Sequence, residues 1–269
     1  MRRVLRYQDA YLSVEARAMW ADTLKLMALL PALPKTVGNE ADWYGRQGAE
    51  KTRQLKALTD DELSAYLESP KWDRSAFLRR APSETFILET LPELAQPLTV
   101  ERLESWNGKC LGLPAQFVRG FRHFTAPDRN GRSQEFVGPP ALRPALQEIC
   151  SVWNASPEDA SIRPLWILVA LLNAHPFKDG NGRLARALFN LDLMRSGVLV
   201  HGPIPLGALI HATQGNFELA MRRAELTNAW EPLCRAILRL VEFYSSDLAG
   251  SQQQTKGRAS AETGSTDAS

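Results

Sequence analysis

Residues 175–186 read His175-Pro176-Phe177-Lys178-Asp179-Gly180-Asn181-Gly182-Arg183-Leu184-Ala185-Arg186, and they sit between two stretches of opposite character. Ahead of them, Ile162 to Ala174 is apolar nearly all round after Pro164, the pattern of a central, buried helix. Behind them, Arg183 to Ser196 reads as a second helix, with Arg195 in its last turn and Gly197 as the residue that stops it. Pro176 ends the first helix near His175, because the residue before a proline is pushed out of the right-handed α region. Gly180 and Gly182 permit backbone conformations that expose consecutive N–H groups. Such a loop opening a helix is a concave anion site, strengthened by the positive end of the helix dipole.

Arg183 and Arg186 are spaced i, i+3 and share a helix face at that end, where two guanidinium forks can clamp two phosphates. Asp179 adds one carboxylate, which suits a Mg²⁺ ion carried on a triphosphate. His175 stands at the rim, where a neutral imidazole can take the proton of an incoming hydroxyl. Singly, each residue has a plainer reading: a capping histidine, a good turn sequence in Asp179 to Gly182, a solvated arginine face. Their occurrence together in one loop between two such helices favours the chemical reading.

Working outward, Phe121 to Thr125 and Gln134 to Val137 flank a turn, Asp128-Arg129-Asn130-Gly131, which predicts a β-hairpin. Leu103 and Trp106 continue a helical face before it, and Leu142 to Asn154 reads as a helix after Pro139-Pro140. Leu206 to Leu226 and Pro232 to Ser245 supply further helices. Tyr11 to Leu30 has apolar residues at helical spacing (Leu12, Ala16, Met19, Trp20, Leu24, Met27, Leu30) and ends at Pro31 and Pro34. Lys35 to Gly48 reads as a loop. A helix starting at Thr59 carries the capping-box order Thr59-Asp60-Asp61-Glu62, and shorter helices follow over 72–80 and 82–91. Ala249 to Ser269 is polar and reads as a disordered tail. The expected division is a helical extension over 1–95, a chemistry-bearing domain over 96–247 and a tail over 248–269.

A formal net charge of +2, with 44% hydrophobic and 23% charged residues, is that of an ordinary globular protein and gives no global field for nucleic acid. No stretch approaches the ~18 to 20 apolar residues of a membrane span, and Met1 to Ser13 lacks the apolar run of a secretory signal. Three cysteines without CxxC spacing, Cys110, Cys150 and Cys234, fit small buried side chains in a reducing compartment. A cytoplasmic protein is the expectation, with signal-independent secretion as an alternative.

The segment resembles the signature of the Fic (filamentation induced by cyclic AMP) family, His-x-Phe-x-Asp/Glu-Gly-Asn-Gly-Arg-x-x-Arg. His175, Phe177, Asp179, Gly180, Asn181, Gly182, Arg183 and Arg186 fill every fixed position. Supporting similarity runs from about Thr99 to Ser245, through Gly120-Phe121-Arg122, Val137 to Pro144 and Asn228 to Leu233. The resemblance implies a mainly α fold, a Fic-type helical bundle with a β-hairpin flap. It implies transfer of AMP from ATP, with Mg²⁺, to a Ser, Thr or Tyr hydroxyl of a target protein. His175 would be the base, Asp179 the metal ligand, and Gly180, Asn181 and Gly182 the anion hole. Arg183 and Arg186 would hold the terminal phosphates, with Lys178 counted in the same nucleotide-binding set, and Phe177 would anchor the core. The flap residues Phe121, Arg122, His123, Phe136 and Val137 would dock the target by strand addition. Gly182 favours AMP transfer, since a relative with lysine there acts as a kinase.

Many relatives are restrained by a Glu in a Ser/Thr-x-x-x-Glu-Gly/Asn helix. Four truncated matches occur here, and Glu40 is the best placed of them as an inhibitory residue. A small antitoxin-like inhibitor protein is an equal alternative, and a homo-oligomer a further one. Other donors (UTP, GTP, CDP-choline), transfer of a phospho-group, and an inactive nucleotide-binding or interaction module stay open as rivals. The polar tail after Tyr244 argues against the DNA-binding winged helix that some relatives carry there.

Overall fold

Trp166 cannot be reached by solvent, nor can its neighbours Leu165, Ile167, Leu168 and Val169, and the molecule is layered around the helix that carries them. The structure is a computed structural model, described over residues 4–30, 93–111, 125–127, 133–155, 162–177, 179–204, 206–212 and 216–245. Its helices are numbered here in chain order: α1 (Val14–Ala28), α2 (Val100–Leu111), α3 (Pro139–Asn154), α4 (Arg163–Ala174), α5 (Asn181–Arg195), α6 (Leu206–Ala212), α7 (Asn216–Thr227) and α8 (231–245). A short 3₁₀ turn, Tyr7–Asp9, precedes α1. The fold is mainly α, as the sequence predicts.

The all-round apolar reading of α4 is correct. Eleven of its twelve residues are buried, including Arg163 at its start. It packs most extensively on α5 and α3, and α5 in turn leans on α2 and α6. α5 ends as predicted: Gly197 takes φ 73°, its N–H reaches Met194 O at 3.1 Å, and the Val198 N–H reaches Leu193 O at 2.9 Å. These two bonds satisfy the last carbonyls of the helix. α1 presents Leu12, Ala16, Trp20, Met27 and Leu30 to the same core as α4 and α5. Trp20 meets Phe189 edge-on at 6.3 Å and Tyr7 meets Trp166 at 5.4 Å. The first helix of the expected extension is thus a wall of the central bundle.

Three asparagines use one device. In each, the side-chain amide accepts the N–H and donates to the C=O of a single other residue. Asn154 does this to Leu98 (2.7 and 2.9 Å), Asn181 to Phe177 four positions earlier (2.9 and 2.8 Å) and Asn190 to Ile204 (2.9 and 3.1 Å). Each satisfies two backbone groups of its partner.

Two differences from the sequence reading are boundary effects. α3 begins at Pro139 and α5 at Asn181, each a few residues earlier than predicted. Proline at the first helical position has no N–H to lose, and Gly180 in the left-handed region supplies the N-cap for Asn181. Leu206 to Leu226 is two helices, α6 and α7. Two three-residue strands, β1 (Thr125–Pro127) and β2 (Ser133–Glu135), pair antiparallel with Thr125 opposite Glu135. The turn between them, the residues 121–124, the helices expected over 59–91 and the tail lie outside the described residues. All three cysteines are free and buried, and burial pushes the Cys150 and Cys234 thiols up to about 12. No described helix is long and apolar enough to cross a membrane.

Candidate functional site

His175 caps α4 in the left-handed region, φ 47° and ψ 55°, with its N–H on Leu171 O at 2.9 Å. A residue with a Cβ pays about 1 kcal/mol for that conformation, so the surroundings must hold it. Pro176 bars the helical alternative. Buried Phe177, with no exposure, anchors the chain just beyond. The imidazole is half-buried and lies flat on the Phe136 ring, centroids 3.9 Å apart and planes at 18°.

The Asn181 side chain, 2% exposed, clamps both backbone groups of Phe177 and so shapes the loop from inside. Its contribution through the side chain is to loop shape. Gly180 adopts φ 81° and ψ −2°, where a side chain would be strained. Its N–H is already engaged by Asp179 Oδ1 at 2.6 Å. The first ladder bond of α5 runs from Leu184 N–H to Gly180 O at 2.9 Å. The N–H groups of Asn181 and Gly182 stand ahead of it, at the positive end of a fifteen-residue helix.

The two arginines differ. Arg183 is tethered: it donates to Cys110 O at 3.3 Å, in the last turn of α2, and lies 3.9 Å from Asp179 Oδ2. Arg186 makes no hydrogen bond or ion pair through its guanidinium to any described residue. That group lies instead against two glycines: a Cβ on Gly182 would sit 3.0 Å from its NH1, and one on Gly207 2.9 Å from Nε and 3.3 Å from the central carbon. A half-buried guanidinium with its donors unspent is built to receive an anion.

Asp179 is largely exposed, at 76%, while its backbone carbonyl takes a bond from Asn107 Nδ2 at 3.1 Å. Among the described residues no group of three His, Cys, Asp or Glu could hold a metal alone. One open carboxylate, with substrate oxygens and water, is a ligand set that Mg²⁺ accepts. Phe136 and Val137 are 3% and 1% exposed, so their side chains pack into the interior. Lys178, Phe121, Arg122, His123 and Glu40 lie outside the described residues. Three contributors were not singled out from sequence: Asn107, Asn190 and Gly207. Asn107 left a signal, a polar residue on the apolar face of Leu103, Trp106 and Cys110. The closeness of Gly207 to Arg186 left none, since the two lie on different helices.

Residues 97–193 match the family model described as Fic/DOC family. Among solved structures, a segment of Fic-1 from C. elegans is similar at 20% identity over 89% of this chain and 73% of its own, with a TM-score of 0.51. A Fic family protein from Desulfovibrio desulfuricans G20 is similar at 15% identity over 92% of this chain and 78% of its own, with a TM-score of 0.52. At such identities the likeness concerns the fold. None of the curated proteins matches this chain.

Proposed function

We propose, from the match of residues 97–193 to the Fic/DOC family model, that this chain is a Fic/DOC family protein and transfers AMP from ATP to a Ser, Thr or Tyr hydroxyl of a target protein. The observation that carries the reading is the Arg186 guanidinium, packed against two glycines, half-buried and without an acceptor among the described residues, beside the N–H groups that open α5. Arg186 and Arg183 hold the β- and γ-phosphates, and the Asn181 and Gly182 N–H groups line the bend next to them. Asp179 is the residue that would hold Mg²⁺, which supplies charge neutralisation on the phosphates. His175 accepts the proton of the target hydroxyl. The freed oxygen forms a bond to the α-phosphorus as the bond from that phosphorus to the bridging oxygen breaks. Pyrophosphate leaves with the electron pair, and a phosphodiester joins AMP to the target. Positioning and charge stabilisation carry most of the rate. The paired strands β1 and β2 lie in the segment that would register the target, and residues 96–247 form the transferring unit.

The test uses the full chain, Mg²⁺ and two preparations of ATP, labelled at the α- or the γ-phosphorus, with acceptance scored on the chain itself and on added proteins. Label from the α position alone is the expected outcome. Label from the γ position alone would replace AMP transfer by phosphoryl transfer, and tight ATP binding without label on any protein would reduce the site to a binding module.

Gly207→Ala addresses the arginine. Alanine favours a helix over glycine, so α6 should not weaken, but the new methyl must displace Nε and the central carbon of Arg186. We expect ATP affinity to fall about tenfold with the melting temperature held or raised. Calorimetric titration with ATP checks this; wild-type affinity would show that the guanidinium does not need that wall.

A further inference from the structure

We propose that Phe136 is a positioning residue for His175, so that the strand pair assigned to the target also sets the plane of the base; this rests on the reading of His175 given above. The two rings lie 3.9 Å apart at 18°, and Phe136 is 3% exposed, so its ring has little room to tilt. The histidine backbone is fixed by its left-handed turn, its bond to Leu171 and Pro176. A face-to-face neighbour restricts rotation about the two side-chain bonds. The in-plane lone pair that must meet a hydroxyl at ~2.6 to 3.2 Å is therefore aimed by Phe136.

A second tie runs in parallel. The next N–H, on Val137, reaches Asn173 O at 3.4 Å in the last turn of α4. β2 ends at Glu135, one residue before the stacked ring, and Glu135 is paired with Thr125. A displacement of β2 thus has two routes to the base, through the ring and through the backbone. A target strand added beside β1 and β2 would steady both, and the hydroxyl and the imidazole would be placed by one structure.

Phe136→Leu keeps an apolar side chain in the space and removes the stack; Phe136→Tyr keeps the stack. The chain has four histidines, so the proton resonances of His175 can be assigned by their loss in His175→Gln. In the wild type they should be moved upfield by the Phe136 ring current. In Phe136→Leu they should move back, kcat for α-label transfer should fall about tenfold or more, and KM for ATP should hold. Phe136→Tyr should restore both the shift and kcat. A Phe136→Leu protein with the resonances moved and kcat unchanged would overturn the inference, as would His175 resonances indifferent to residue 136. A wild type that binds ATP but transfers nothing would strike the parent reading instead, and the resonances would still report whether the stack exists.

Discussion

His175→Ala is expected to lower the rate of AMP transfer by ~10² to 10⁴-fold and to leave ATP binding close to wild type. In the proposed reaction the imidazole takes the hydroxyl proton, while the phosphates are assigned to Arg183, Arg186 and the N–H groups of α5. Removing it deletes the proton acceptor without touching those donors. The loss should appear in single-turnover transfer from α-labelled ATP, and calorimetric titration should show the nucleotide still bound. A variant that kept the wild-type rate would remove His175 as base. One that lost binding in proportion would make it a structural cap. Because alanine tolerates the left-handed region no better than histidine, a companion variant, His175→Asn, keeps a side chain more at ease there and should be equally slow.

Asp192→Ala is expected to cost ~3 to 5 kcal/mol of stability, because it strips a buried cation of its partner. Asp192 has no exposure. It receives Arg163 Nε on both oxygens at 3.1 and 2.9 Å, and Arg195 at 2.7 Å. The arginines continue the chain of contacts, Arg163 to Ala155 O at 3.3 Å and Arg195 to Trp153 O at 2.6 Å, with Arg195 over the Trp153 ring. Burial pulls the Arg195 guanidinium below its ordinary value and the Asp192 charge pushes back. One carboxylate therefore ties the end of α3, the start of α4 and the last turns of α5. For a domain of this size the loss corresponds to roughly 10 °C in Tm. The double variant Arg163→Met, Asp192→Leu should recover much of it, since an apolar pair of similar volume avoids the desolvation cost. Urea unfolding of the three proteins gives the comparison. An Asp192→Ala protein within about 1 kcal/mol of wild type would mean that water or a shifted side chain replaces the carboxylate.

The bend was legible because its parts are consecutive. His175 to Arg186 writes the end of one helix, a glycine bend and the start of the next in twelve residues, and Gly180 and Gly197 permit the left-handed φ that both adopt. The central position of α4 was equally plain from a run with no polar face. The contacts that place the site were not legible, because they join residues far apart in the chain. Arg163 and Asp192 are separated by 29 positions, and nothing in either helix pattern marks them as partners. Gly207 lies against Arg186 from 21 positions away and on another helix. Phe136 reads as a strand residue until the depth of its ring is known. Periodicity reports which face is buried; it carries no record of which residue waits on the other side.

The amide clamps of Asn154, Asn181 and Asn190 give the molecule an ageing chemistry. Each joint needs a nitrogen on one arm and an oxygen on the other. Loss of ammonia from any of them would leave an acid of nearly the same shape with its second oxygen turned on a main-chain carbonyl. Asn181 is the exposed case in chemical terms, since a glycine follows it and offers the least hindered nitrogen for ring closure onto the side chain. The helical turn that begins there holds that nitrogen away from the amide carbon, and the clamp on Phe177 immobilises the amide itself. The lifetime of the bend is therefore tied to the integrity of the first turn of α5, and the bend should lose its shape through fraying at that turn well before the core lets go.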